Sequence, residues 1–249
     1  MKTGILLHVY NLYSEDWERL VWGDPESDEL GVGATLFEYL LTEPAETSMY
    51  TILYNGPSSK QGLSEGEYTL RYLRDKQDHI TDFPKLRSLY NVASPKQRAI
   101  FAERVAAIRV GEPIADTYDE IYRAAVHFQR LGVTRVAHIA AATHAPRCIQ
   151  LQTKVREDGF IPADQLWCTV ASDRSFAGRK ASDVVVVEPP HRADDPLLHY
   201  TPTLASLVRQ YFGLTPKAKK QFIANIEADL QKLHSDPDAV SLQANSATK

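Results

Sequence analysis

The sequence has few cysteines, and their placement excludes two classes of small stabilised domain. Its two cysteines, Cys148 and Cys168, form neither a CxxC pair nor a Cys/His zinc-ligand spacing. A disulfide scaffold and a zinc ribbon are therefore excluded, and we expect a reducing cytoplasm. A second group of metal-ligand residue types comprises His191, Asp194, Asp195 and His199. Its spacing matches no established ligand pattern, so the sequence predicts no metal site.

Long hydrophobic runs, a basic excess and a glycine-rich dinucleotide-binding turn are also missing. The apolar run near Ile5 is too short for a signal peptide or a membrane span, so no membrane association is expected. A net charge of −4 does not support general nucleic-acid binding. No GxGxxG turn follows the first predicted strand.

What the sequence does contain is an alternation of apolar strands and amphipathic helices. Its 249 residues are enough to bury a full core. Strands alternating with helices predict a three-layer, Rossmann-like α/β fold: a parallel sheet of about five strands with helices on both faces. The predicted strands are Gly4–Tyr10, Ser48–Tyr54, Val136–Ala141, Leu166–Ala171 and Asp183–Glu188.

The predicted organisation has three parts. Residues 1–200 form the α/β domain, with a helical insertion at about 78–112 as a small annex that includes a charged helix over 95–110. Residues 201–235 form C-terminal helices packed on this domain. Residues 236–249, rich in small polar residues, form a flexible tail.

The strand that ends near Ala141 runs into a polar turn and a predicted helix over 145–157. Thr143 is the predicted N-cap, and the helix start offers amides and a positive dipole end to an anion. His144 and Arg147 lie in this turn. Two interpretations stay open: the pair contacts a bound anion, or His144 only caps the helix and Arg147 pairs with a surface carboxylate.

A second helix start follows the strand Ser48–Tyr54. The loop Asn55–Gly62 offers backbone donors, and Ser64 and Glu67 have the spacing of a capping box, which leaves Glu65 as the functional candidate. Ligands of open α/β sheets bind beyond the carboxyl ends of the strands, which places both helix starts on one rim. Further rim positions are Asn11, Ser172–Arg174 and Glu188–Arg192.

Three residues inside apolar segments are assigned to the core. His138 is interpreted as a packed histidine, and Cys148 as a small buried residue. His8 is interpreted in the same way, with a pocket role as the alternative because it lies near the end of the first strand.

Three segments, Thr51–Leu73, Ala115–Gln150 and Asp183–Pro190, resemble the YdcF-like (SanA/ElyC-related) family. The family pattern has a Gly-rich turn, a Ser-Glu-Ala helix start, an Asn-Thr-x-Glu helix start and Thr-Ser-x-x-His-x-x-Arg-Ala after a strand. The matching positions are Gly56, Ser64, Glu65, Thr117, Glu120, Thr143, His144 and Arg147. The chain departs from the pattern at Asp116, where Asn is usual, and at His8–Ser14, which replaces a Gly-rich turn.

The resemblance implies a pocket for a phosphate-bearing or nucleotide-like anionic small molecule, with S-adenosylmethionine or a nucleotide as the candidate cofactor. The residues expected to act in catalysis are His144, Glu65 and Glu120. The residues expected to bind the ligand are Asn55, Gly56, Ser58, Ser64, Thr117, Thr143 and Arg147.

Three functions remain open at this stage. The first is an enzyme that hydrolyses a phosphorylated or nucleotide-like molecule or transfers a group from it. The second is a module that binds a nucleotide or S-adenosylmethionine without turnover. The third is a protein-interaction scaffold with a vestigial pocket. The sequence does not choose among them.

Overall fold

The computed structural model describes residues 1–14 and 16–174. The strands in chain order are β1 (Lys2–Leu7), β2 (Gly23–Asp24), β3 (Glu29–Leu30), β4 (Ser48–Asn55), β5 (Ser59–Lys60), β6 (Leu63–Ser64), β7 (Arg109–Pro113), β8 (Arg135–Ala140) and β9 (Leu166–Ala171). The α-helices are α1 (Trp17–Val21), α2 (Val32–Thr42), α3 (Glu65–Lys76), α4 (Pro84–Val92), α5 (Pro95–Ala106), α6 (Thr117–Arg130) and α7 (Ala145–Glu157). A 3₁₀ turn at Gln77–Asp82 joins α3 to α4.

Five strands form one parallel sheet in the order β7-β4-β1-β8-β9. The α/β fold class with a parallel sheet surrounded by helices is confirmed. From β1 the chain winds outward through β4 to β7, and then returns to place β8 and β9 on the other side of β1. The winding direction reverses between β1 and β8, and open α/β sheets bind ligands at such a switch point, beyond the carboxyl ends of the strands.

Close packing against the central strands positions α6. A Cβ at Gly4 would lie 2.8 Å from the ring of Phe128, so only a glycine in β1 lets this helix approach so closely. Phe128 is fully buried, as are Ile121 and Ala125 on the same face. The start of α6 is thereby held beside the carboxyl end of β1.

The predicted helical insertion is only partly helical. The helix predicted over 95–110 ends at Ala106, and β7 follows as an edge strand parallel to β4. A five-residue strand with Gly111 and Pro113 carries little of the usual strand pattern, which explains the error. Arg104 ties α5 to the end of α2 by donating to the carbonyl oxygens of Leu40, Glu43, Pro44 and Thr47.

The first strand also differs from its prediction. Strand β1 ends at Leu7, so His8 and Tyr10 lie beyond it, at the switch point. The predicted strand 183–188, the helices within 201–235, the tail and the group His191–His199 lie outside the described residues. No helix in the described part of the chain is long and apolar enough to cross a membrane.

Candidate active site

Buried polar side chains meet where β1 and β8 end, next to the first turns of α6 and α7. We call six of them the switch-point cluster: His8, Tyr10, Glu120, His138, His144 and Cys148. Four of the six, His8, His138, Cys148 and Glu120, are at most 4% exposed. Buried polar groups need partners, and the partners found here define the site.

His8 and Glu120 form a buried pair. His8 Nδ1 lies 2.7 Å from Glu120 Oε2. Burial lowers the pKa of His8, but its interactions with Cys148 and Glu120 outweigh burial and raise this pKa to about 10. His8 is therefore an imidazolium at neutral pH. Glu120 Oε1 is buried and has no hydrogen-bond partner.

His138 lies behind His8. Its Nδ1 is 3.4 Å from His8 Nε2, and its Nε2 is 2.5 Å from Thr169 Oγ1. Burial, followed by the charge of His8, lowers the pKa of His138 to about 3. His138 is thus neutral, with Nδ1 facing His8 and Nε2 facing Thr169. Both histidines are buried, as the sequence predicted, but each has defined polar partners.

Tyr10 and His144 lie on the outer side of the cluster. The Tyr10 hydroxyl accepts a hydrogen bond from the Ala141 amide at 2.6 Å and lies 3.3 Å from His144 Nδ1. The His144 ring stands edge-on to His8, with a centroid distance of 5.3 Å. His144 is half-buried as a residue, unlike the fully buried His8 and His138, although its Nε2 is enclosed.

The start of α7 differs from the prediction in its cap. His144, not Thr143, occupies the N-cap position, and it makes no side-chain capping bond. The amides of His144 and Ala145 both donate to the Ala141 carbonyl, and the helix begins at Ala145 as predicted, so only the cap differs by one residue. Pro146 lies in the first turn, as expected.

Arg147 connects the first turns of α7 and α6. Its Nη2 donates to Thr117 Oγ1 at 2.9 Å, and burial lowers the pKa of its guanidinium. The side chain of Asp116 caps α6 by accepting from the Asp119 amide at 2.7 Å. The guanidinium is thus held where two helix N-termini meet.

The helix start at Glu65 forms a neighbouring group. Ser58 Oγ donates to Glu65 Oε2 and accepts from the Leu12 amide. Glu65 is 4% exposed, and burial raises the pKa of its carboxyl. A Cβ at Gly56 would lie 2.2 Å from Glu65 Oε1, so this carboxylate packs against bare backbone. The negative charge of Glu120 contributes, after burial, to raising the pKa of Glu65.

Two of the predicted ligand residues are engaged in the local structure. Ser64 and Glu67 form the predicted capping box of α3. The Asn55 side chain accepts from the Gly66 amide and donates to the Gly111 carbonyl, both at 3.0 Å. Both side chains hold the loop against α3 and β7.

The predicted rim residues after β9 make hydrogen bonds and ion pairs within the fold. Asp173 accepts from Lys85 and from the Leu30 amide. Arg174 forms ion pairs with Asp24 and Glu29 of the β2–β3 hairpin. These contacts connect the end of β9 to the hairpin. The rim position Glu188–Arg192 lies outside the described residues.

Sequence reasoning did not assign Tyr10, His138 or Cys148 to the site. The available signal was the segment His8–Ser14, where bulky polar residues replace the Gly-rich turn of the family pattern. His8 and Tyr10 are both buried just beyond the end of β1.

The comparisons with known proteins add no relative to this description. No family model, curated protein or solved structure matches the chain.

Proposed function

We propose that the protein is an enzyme that acts on a phosphorylated or nucleotide-like small molecule, by hydrolysis or group transfer. The observation that carries the proposal is the meeting of Arg147, the α7 N-terminus and His144 at the switch point of the sheet. This position is where open α/β sheets receive ligands. The YdcF-like resemblance implies the same ligand class.

Anion binding is assigned to Arg147 and the first turn of α7. A guanidinium binds phosphate oxygens in bidentate geometry, and a helix N-terminus adds amide donors and a positive dipole end. The contact with Thr117 orients the guanidinium. Half-burial strengthens its interaction with an anion, because less water screens the charge.

Proton transfer is assigned to His144, the half-buried histidine beside the anion site. Tyr10 contacts its Nδ1 and thereby orients the ring. Glu120 is bound to His8 and mostly buried, so it is a positioning residue that acts through His8. Glu65 is enclosed by Ser58 and Gly56 and has a positioning role in the neighbouring loop.

The experiment measures binding and turnover by the full-length protein. Inorganic phosphate, AMP, ADP and S-adenosylmethionine are tested by calorimetry and by the shift in melting temperature. Arg147→Ala should weaken binding of the phosphate-bearing probes about 10–100-fold, the value of a hydrogen bond between charged groups. Arg109→Ala is the matched control, because it removes an exposed arginine from the edge strand β7.

Turnover separates the enzyme from the binding module. His144→Gln should retain the affinity for AMP or ADP and lose release of phosphate or transfer of a group. Unchanged affinity in folded Arg147→Ala protein would refute the anion site. Binding without any turnover by the wild type would favour the module that binds a nucleotide or S-adenosylmethionine.

A further inference from the structure

Three side chains of the switch-point cluster have the composition of a metal site. His8, His138 and Cys148 are fully buried, and their potential ligand atoms lie within 4.8 Å of one another. His8 Nε2 and His138 Nδ1 are 3.4 Å apart. Two nitrogens bound tetrahedrally to zinc at about 2.0–2.1 Å are separated by about 3.4 Å. The imidazoles therefore already stand at the spacing of adjacent ligands.

The cysteine requires only a small adjustment. In a tetrahedral zinc site with a Zn–S bond of about 2.3 Å, sulfur and nitrogen are about 3.6 Å apart. Since no ligand atom here is more than 4.8 Å from another, each distance from Cys148 Sγ to a histidine nitrogen must shorten by at most about 1.2 Å. Rotation about its Cα–Cβ bond and small shifts of α7 supply this movement.

Both histidines have the outer contacts that metal-bound histidines have. Glu120 holds Nδ1 of His8, and Thr169 holds Nε2 of His138. Each ring therefore presents its other nitrogen to its neighbour, and a bound metal would replace the Nε2 proton that His8 carries in the metal-free protein. Metal-binding histidines almost always use their second nitrogen in this way, and such partners fix the ring and raise its basicity.

A second observation is that Glu120, the outer partner of His8, is incompletely satisfied. Glu120 Oε1 is buried and has no hydrogen-bond partner, although its carboxylate is only 4% exposed. Leaving a carboxylate oxygen unsatisfied inside a protein is costly. A dication bound to His8 would offset the charge of Glu120 across the imidazole.

We propose that His8, His138 and Cys148 bind a transition-metal cation of the zinc type. Two imidazoles and one thiolate suit zinc and exclude the hard cations that prefer oxygen ligands. Water or a bound small molecule supplies the fourth ligand, as in zinc sites with three protein ligands. This proposal does not depend on the proposed enzymatic function, because metal binding is measured without turnover.

The test uses full-length protein, stripped with a chelator and titrated with Co²⁺ as the spectroscopic probe. Binding of a single cation should produce a thiolate-to-cobalt charge-transfer band and the strong visible bands of four-coordinate cobalt, and Zn²⁺ should displace it. Cys148→Ser should abolish the charge-transfer band. Cys168→Ser, which changes the exposed cysteine in β9, should retain it.

Two further measurements keep the proposal testable if Cys148→Ser does not fold. Thr169→Val removes the outer partner of His138 and should lower the Co²⁺ affinity about 10–100-fold, without changing phosphate binding through Arg147. X-ray absorption of the zinc-loaded wild type should show two nitrogen ligands and one sulfur ligand from the protein.

Each contrary result has a definite meaning. Absence of the charge-transfer band in wild type, its persistence in Cys148→Ser, or a zinc shell without sulfur would overturn the metal site. His8, His138 and Cys148 would then be a hydrogen-bonded core group. If that happened while Arg147-dependent phosphate binding remained, the proposed function would stand.

Discussion

Replacing Gly56 by alanine tests how tightly the loop after β4 encloses Glu65. The added Cβ would lie 2.2 Å from Glu65 Oε1 and 2.7 Å from its Cδ, so the carboxylate must move. Movement breaks the hydrogen bond from Ser58, and a bond of this charged type contributes about 1.5–3 kcal/mol. Alanine also lowers the backbone entropy of the unfolded chain, and this stabilises the folded protein by about 0.4–1 kcal/mol.

The expected result is a loss of about 1–2 kcal/mol in the free energy of unfolding. Urea denaturation followed by tryptophan fluorescence measures it, because the three tryptophans, Trp17, Trp22 and Trp167, all lie in the described part of the chain. The control repeats Gly56→Ala in a Glu65→Ala background, where the carboxylate is absent and the substitution should cost close to nothing. An equal cost in both backgrounds would refute the proposed contact.

Two other predictions concern stability. Arg104→Ala should lower the free energy of unfolding by about 2 kcal/mol, because four carbonyl oxygens at and beyond the end of α2 lose a charged donor, and Arg104→Lys should restore part of it. Equal stability of the alanine and lysine variants would contradict the role of the guanidinium. Glu65→Gln should be more stable than wild type at pH 7, with the difference closing towards pH 4. Burial raises the pKa of Glu65, so the folded protein loses stability as pH rises through that raised pKa, whereas glutamine does not titrate and still accepts from Ser58. Urea melts at several pH values measure the difference, and a gap that widens as the pH falls would contradict the sign.

The elements with strong local patterns could be predicted from the sequence. Strand β9 and helix α7 have the bounds that were predicted, because a continuous apolar run and a proline in the first helical turn are local signals. The capping box at Ser64 is equally local. Strand β7 was missed, since a strand that pairs only with β4 within the described residues needs little hydrophobic patterning.

The arrangement of the candidate site depended on information that no local pattern contains. The alternation of strands and helices predicts parallel pairing, but it does not determine which strand lies next to β1. Only the pairing of β1 with β8 brings His8 beside His138, and that pairing joins distant parts of the chain. Cys148 joins the two histidines because α7, which carries it, follows β8 at the same carboxyl edge of the sheet. Each residue alone therefore resembled an ordinary core residue.

The position of β1 in the middle of the sheet has a consequence for synthesis on the ribosome. His8 and His138 are 130 positions apart, and translation at about 5–20 residues per second separates their emergence by roughly 6–26 s. During this interval β4 is available to pair with β1, but β8 is not, so the nascent chain carries an apolar strand with one open edge. Such edges recruit other chains, and the newly made N-terminal segment is therefore where we expect chaperone dependence and co-translational aggregation to concentrate.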